Sequence, residues 1–136
     1  MKSIYDILQT LKTDLSDDIP ALLETACLDD FDVYTIGGSR NPKEKALCVY
    51  KDTVRKDALQ NILSLIVQAQ LTGVDEITGA KYEDVLIDYF KSYNPEYIEM
   101  HILDTMESGT FPIDQSQGMI ILMTIQFTEM LDGCDD

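Results

Sequence analysis

Covalent or acid–base chemistry needs a nucleophile, a proton carrier or a ligand set, and this chain offers few of those residue types. His101 is its single histidine. It alternates with apolar neighbours in Tyr97–Leu103, which reads as a strand position with no nucleophile placed beside it. Cys27, Cys48 and Cys134 have no CxxC spacing, and with one histidine they do not make a zinc set. Cys27 and Cys48 read as small buried apolar residues. Cys134 lies among acids that disfavour a thiolate. The acid clusters Asp29/Asp30/Asp32, Asp75/Glu76 and Asp132/Asp135/Asp136 lack the spacing of an EF-hand loop and read as solvated carboxylates. No phosphate-cradling glycine motif is present, and Gly37-Gly38 is a turn. The expectation is a protein that is not an enzyme, with no catalytic residue, no metal and no cofactor.

Charge carries more information. The chain has 136 residues and a net charge of −15, which argues against a broad phosphate-binding face or an anionic membrane surface. The charges are segregated. Residues 40–56 hold six bases against two acids, whereas residues 92–136 hold nine acids and no lysine or arginine. The basic residues are Arg40, Lys43, Lys45, Lys51, Arg55 and Lys56. A subunit basic at one end and acidic at the other can join head to tail, and such a contact makes a ring if its rotation closes.

The elements that must position these groups follow from periodicity. Ile4, Ile7, Leu8, Leu11 and Leu15 mark an opening helix capped by Ser3, with Asp6 in its first turn. Ser16–Asp18 interrupts it, and Pro20 suits the first turn of a second short helix, Ile19–Leu28. Phe31–Ile36 and Ala46–Tyr50 read as an antiparallel hairpin around the polar loop Gly37–Lys45. Thr53–Leu71 carries apolar residues at helical spacing and reads as the central core helix, stopped by Gly73. Val74–Gly79 is a connection. Lys81–Tyr93 is a further helix ended by Asn94-Pro95, whose Tyr82, Tyr89 and Tyr93 form a core or interface stripe rather than a base-stacking platform. Tyr97–Leu103 is a strand, Asp104–Gly118 a polar loop, and Met119–Met130 a strand with one apolar and one polar face.

The fold class expected is therefore α+β, with about three to four helices on a small, mostly antiparallel sheet of about four strands. Residues 1–136 form a single domain, and 132–136 a frayed acidic tail. No apolar run approaches the ~20 residues of a membrane helix, and the N-terminal segment lacks a signal peptide's apolar centre. A cytoplasmic location in the producing cell is expected.

In this order of elements the chain resembles the tail-terminator and head–tail completion proteins of long-tailed phages. The matching pieces are the helix Ile4–Leu15, the hairpin Phe31–Tyr50, the helix Thr53–Leu71 and the strand Met119–Met130. The resemblance implies a virion-associated structural subunit that forms a ring, typically six-fold, at the head-proximal end of a tail. Its partners would be further copies of itself and tail-tube or connector proteins, without specific nucleic-acid binding. Acidity suits a lumen through which DNA slides. On this reading Arg40, Lys43, Lys45, Arg55 and Lys56 are the protein-binding residues, reaching an acidic surface on the next subunit or the tail tube. The alternative is a small acidic protein-binding inhibitor, an immunity protein or DNA mimic, using Asp29, Asp30, Asp75 and Glu76.

Overall fold

Ile7, Leu11, Leu15, Ile19 and Leu23 recur every four residues and are all buried, drawing the first element into one helix, α1 (Ile4–Thr25). The computed structural model that places it describes residues 3–37, 45–57, 60–93, 101–102, 107–112 and 118–130. The break expected at Ser16–Asp18 and the separate helix Ile19–Leu28 do not occur, and Pro20 lies inside α1. An interior proline costs ~3 kcal/mol. Burial of each aliphatic side chain contributes ~1.5–3 kcal/mol, so the continuous stripe outweighs it. The helix ends in a Schellman turn, with Leu28 N donating to Leu23 O at 2.8 Å and Cys27 N to Glu24 O at 3.0 Å. Cys27 takes the left-handed position of that turn, φ 60°, and is exposed, contrary to the expectation that it is buried.

The chain continues through β1 (Val33–Ile36), β2 (Ala46–Asp57), β3 (Gln60–Thr72), α2 (Glu76–Lys91), β4 (His101–Ile102), β5 (Glu107–Pro112) and β6 (Gly118–Met130). The strands form one mixed sheet in the order β1-β2-β3-β6-β4, with β5 on the same edge of β6 as β4. The protein is thus α+β, with two helices among the described residues.

The largest departure from expectation lies in Thr53–Leu71, which is not a helix but the second half of β2 and most of β3. Leu63, Leu65, Val67, Ala69 and Leu71 alternate along β3 and are all buried in the main core. Ile62, Ser64, Ile66, Gln68 and Gln70 occupy the other face. A central strand that is apolar on parts of both faces mimics a helical stripe, because both periods find matches in a dense apolar run. Gly73 does stop the element, at φ 77°, but it ends a strand.

β1 and β2 run parallel, from Val33 opposite Ala46 to Ile36 opposite Val49, so the antiparallel hairpin Phe31–Tyr50 is also corrected. The start of the pair is fastened by Asp32 N to Lys45 O at 2.7 Å and by Lys45 N to the Asp32 carboxylate at 3.0 Å. A strand appears at Glu107–Pro112, inside the expected loop Asp104–Gly118. Of the expected strand Tyr97–Leu103, His101 and Ile102 pair with β6, and the rest lies outside the described residues. The expected final strand is present as β6, with Ile121, Met123, Ile125 and Phe127 buried and Leu122, Thr124 and Gln126 on the other face.

Both helices pack on the same side of the sheet. Their buried stripes, including Leu11, Leu15, Tyr82, Leu86 and Phe90, join the apolar faces of β3 and β6 in one core. The opposite face is partly polar, with Tyr50 donating to Gln68 Oε1 at 3.4 Å and Gln126 to Ser64 Oγ at 3.2 Å. No helix among the described residues is long and apolar enough to cross a membrane.

Candidate protein interface

Two surfaces stand out: a groove between the helices and the edge of β2. The groove is built by α2's position on α1. Asp75 caps α2 by accepting from Thr78 N at 2.7 Å, and that bond is the main reason its carboxyl stays below its ordinary range. Tyr82 and Tyr89 lie along the helix, and Tyr93 follows two residues past its end. Tyr82 donates to Asp29 O at 2.6 Å, Tyr89 to the Asp18 carboxylate at 2.8 Å and Tyr93 to the Asp14 carboxylate at 2.7 Å. As the donor's number rises the acceptor's falls, from Asp29 just past α1 to Asp18 and Asp14 within it, so the helices run antiparallel and three phenols tie the two segments together. The rings pack inward, Phe31 on Tyr82 at 5.7 Å and Tyr93 on Phe127 at 6.4 Å. Of the tyrosines expected to form a core or interface stripe, Tyr82 is in the core, while Tyr89 and Tyr93 are partly buried against it.

Between the outer sides of these helices lies a cavity of about 670 Å³, lined by Asp17, Asp18, Ala21, Leu22, Thr25, Ala26, Val85, Asp88, Tyr89 and Ser92. Half of its lining is apolar or aromatic and it includes three carboxylates, with no lysine or arginine. Leu22 falls outside the buried row of α1 and is 40% exposed. The two helices together hold nine acidic and three basic residues.

The second surface is the far half of β2. β1 covers only Ala46–Val49, so among the described residues the outer edge of β2 beyond Val49 has no strand beside it. Lys51, Asp52, Thr53, Val54 and Arg55 are exposed there, Val54 by 43%. Charged residues on an open edge discourage indiscriminate strand addition. A register shift between Lys51 and Thr53 bends the same segment.

The basic residues expected to act together are divided between the two ends of β2. Lys45 precedes the strand and lies 3.5 Å from Asp29, while Arg55 and Lys56 lie near its far end. Ten residues of strand separate Lys45 from Arg55 by about 30 Å. Arg40 and Lys43 lie outside the described residues, and Lys56 is placed by its backbone in β2. Asp29, Asp30 and Asp32, read from sequence as solvated acids, have structural partners. Asp30 accepts from Phe31 N at 2.8 Å and from the Tyr34 hydroxyl, and that hydroxyl is held well above its ordinary range by burial and then by the Asp30 carboxylate. Tyr82 is pushed up to about 12 by burial first, then by Asp29 and Asp30. Cys48 is buried in β2, as expected, and His101 sits opposite Thr128 in the ladder. Cys134 lies outside the described residues. Among the described residues no group of three or more His, Cys, Asp or Glu side chains is gathered that could hold a metal.

Sequence pattern alone does not show the groove, because the break expected at Ser16–Asp18 falls in the turn that lines it. With α1 continuous, Leu22 beside Asp17 and Asp18 is visible as an apolar residue off the buried row. No protein-family model matches the chain, and no curated protein does.

Proposed function

We propose that this chain is a structural assembly subunit that joins head to tail with further copies, in the manner of a phage or prophage tail-terminator or head–tail joining ring. The observation that carries the reading is the separation of an open, base-bearing β2 edge from an acid-rich pair of helices. Dissimilar surfaces of opposite charge on one subunit favour a heterologous contact, which closes into a ring when its rotation permits. The helix Thr53–Leu71 and the antiparallel hairpin Phe31–Tyr50 no longer contribute to the phage resemblance, since the first is strand and β1 and β2 pair in parallel. The size, the opening helix and the long C-terminal strand still do. Tail-tube and connector proteins are the further partners under this reading. Electron microscopy of negatively stained protein, with mass determination in solution, tests it: rings of uniform diameter are expected, and a monomer at every concentration would count against it.

The acidic groove also favours a second reading, an inhibitor that receives a basic segment of another protein. Its mark would be a tight one-to-one complex with a basic partner and no self-association.

A further inference from the structure

We infer that the groove between α1 and α2 receives the far half of the β2 edge from a second copy of this chain. The inference rests on the assembly reading and names its two contacting surfaces. The groove offers Asp17, Asp18 and Asp88 together with the exposed apolar side chain of Leu22. The edge offers Val54 and Lys51, both exposed on the face that Leu63 and Leu65 share, with Arg55 exposed on the opposite face and Asp52 beside Lys51. An exposed apolar side chain sharing its face with a cation, with a second cation on the same edge, matches a largely apolar groove that carries three carboxylates.

The occupant comes from another molecule. β3 pairs with β6 along its whole length, from Gln60 opposite Met130 to Thr72 opposite Gly118, and β2 pairs with β3 up to Asp57. The hairpin is therefore held in the plane of the sheet. The groove opens on the outer side of the helices, which the sheet does not reach. A copy cannot fill its own groove with its own edge, but it can fill its neighbour's. Because groove and edge are different patches, the first contact leaves one groove free on one copy and one edge free on the other, and association continues until it closes.

Two charge-reversed proteins test this: Lys51→Glu with Arg55→Glu on the edge, and Asp17→Lys with Asp88→Lys in the groove. All four positions are exposed, and Asp18 is left alone because Tyr89 uses it. Thermal melts check that each protein folds. Each variant alone should self-associate at least about tenfold more weakly than wild type in sedimentation experiments, since every contact now meets like charge. Mixed in equal amounts they should assemble again, because each reversed surface then meets its complement. If wild type associates but neither variant weakens it, or the mixture stays dissociated, the assignment of these two surfaces is overturned while the assembly reading survives. If wild type does not associate at all, both are overturned.

Discussion

Replacing Tyr82 with phenylalanine isolates one bond of the clasp that sets the groove. The ring remains against Phe31, and only the hydroxyl that donates to Asp29 O at 2.6 Å is lost. A neutral hydrogen bond of this kind contributes ~1 kcal/mol, so the melting temperature should fall by ~3–5 °C for a chain of this length. The alkaline limb sharpens the prediction. The hydroxyl's pKa is raised from 10.0 to about 12 in the folded chain, by burial and then by Asp29 and Asp30. A group raised on folding contributes stability that is complete below the unfolded value, ~10, and lost as pH climbs through the folded value. Two pK units would be worth up to ~2.7 kcal/mol. The hydroxyl meets its neighbours at the solvent margin, where screening leaves roughly half, ~1–1.5 kcal/mol. The phenylalanine variant has no such group, so its deficit at neutral pH should shrink as pH passes 10 and approach zero near 12. Urea unfolding at stepped pH measures this. A deficit that does not change with pH, or no deficit at neutral pH, would refute the reasoning.

Three further outcomes follow from the fold. Cys27→Gly relieves an L-residue held at φ 60° and should stabilise by ~0.5–1 kcal/mol after the extra chain entropy of glycine, read as a higher urea midpoint. Asp75→Ala should lower the melting temperature at neutral pH, whereas Asp75→Asn should still cap α2 but lose the charge. Because the Asp75 pKa is lowered on folding from 3.8, the wild-type advantage over the asparagine variant should be full above ~pH 4 and disappear as pH falls below it. Leu65→Ala should cost ~2–5 kcal/mol and Ile66→Ala clearly less, since Leu65 is in the main core and Ile66 is on the opposite, half-open face. Equal losses would mean that the two share a face, as they would in a helix.

Where local pattern and tertiary surroundings agreed, the sequence was readable. β6 shows a strict alternation because only one of its faces meets the helices, and α2 shows a clean stripe because its outer side is solvated. β3 misled because it is a central strand whose polar face still carries Ile62 and Ile66, leaving apolar residues at helical as well as strand spacing. α1 misled for the opposite reason: a local proline signal was overruled by a buried row visible only when both segments are read together. The parallel pairing of β1 with β2 depends on the course of the chain between them, which local propensity does not encode. Lys45, Arg55 and Lys56 were legible as charges, but their division between the ends of β2 was not, because it required knowing that the stretch is extended.

Under the proposed assembly, copies of this chain join through small patches of opposite charge despite a net charge of −15 on each. Sedimentation velocity of the wild-type protein across ionic strength tests it most directly. At ~0.01 M salt the screening length is ~30 Å and whole-subunit repulsion should hold copies apart; at ~0.1 M it is ~10 Å and that repulsion fades while close pairs persist. At ~1 M it is ~3 Å and the close pairs weaken too. Association should peak at intermediate salt and end at one closed species. Association that rises steadily to the highest salt, or a monomer throughout, would contradict it.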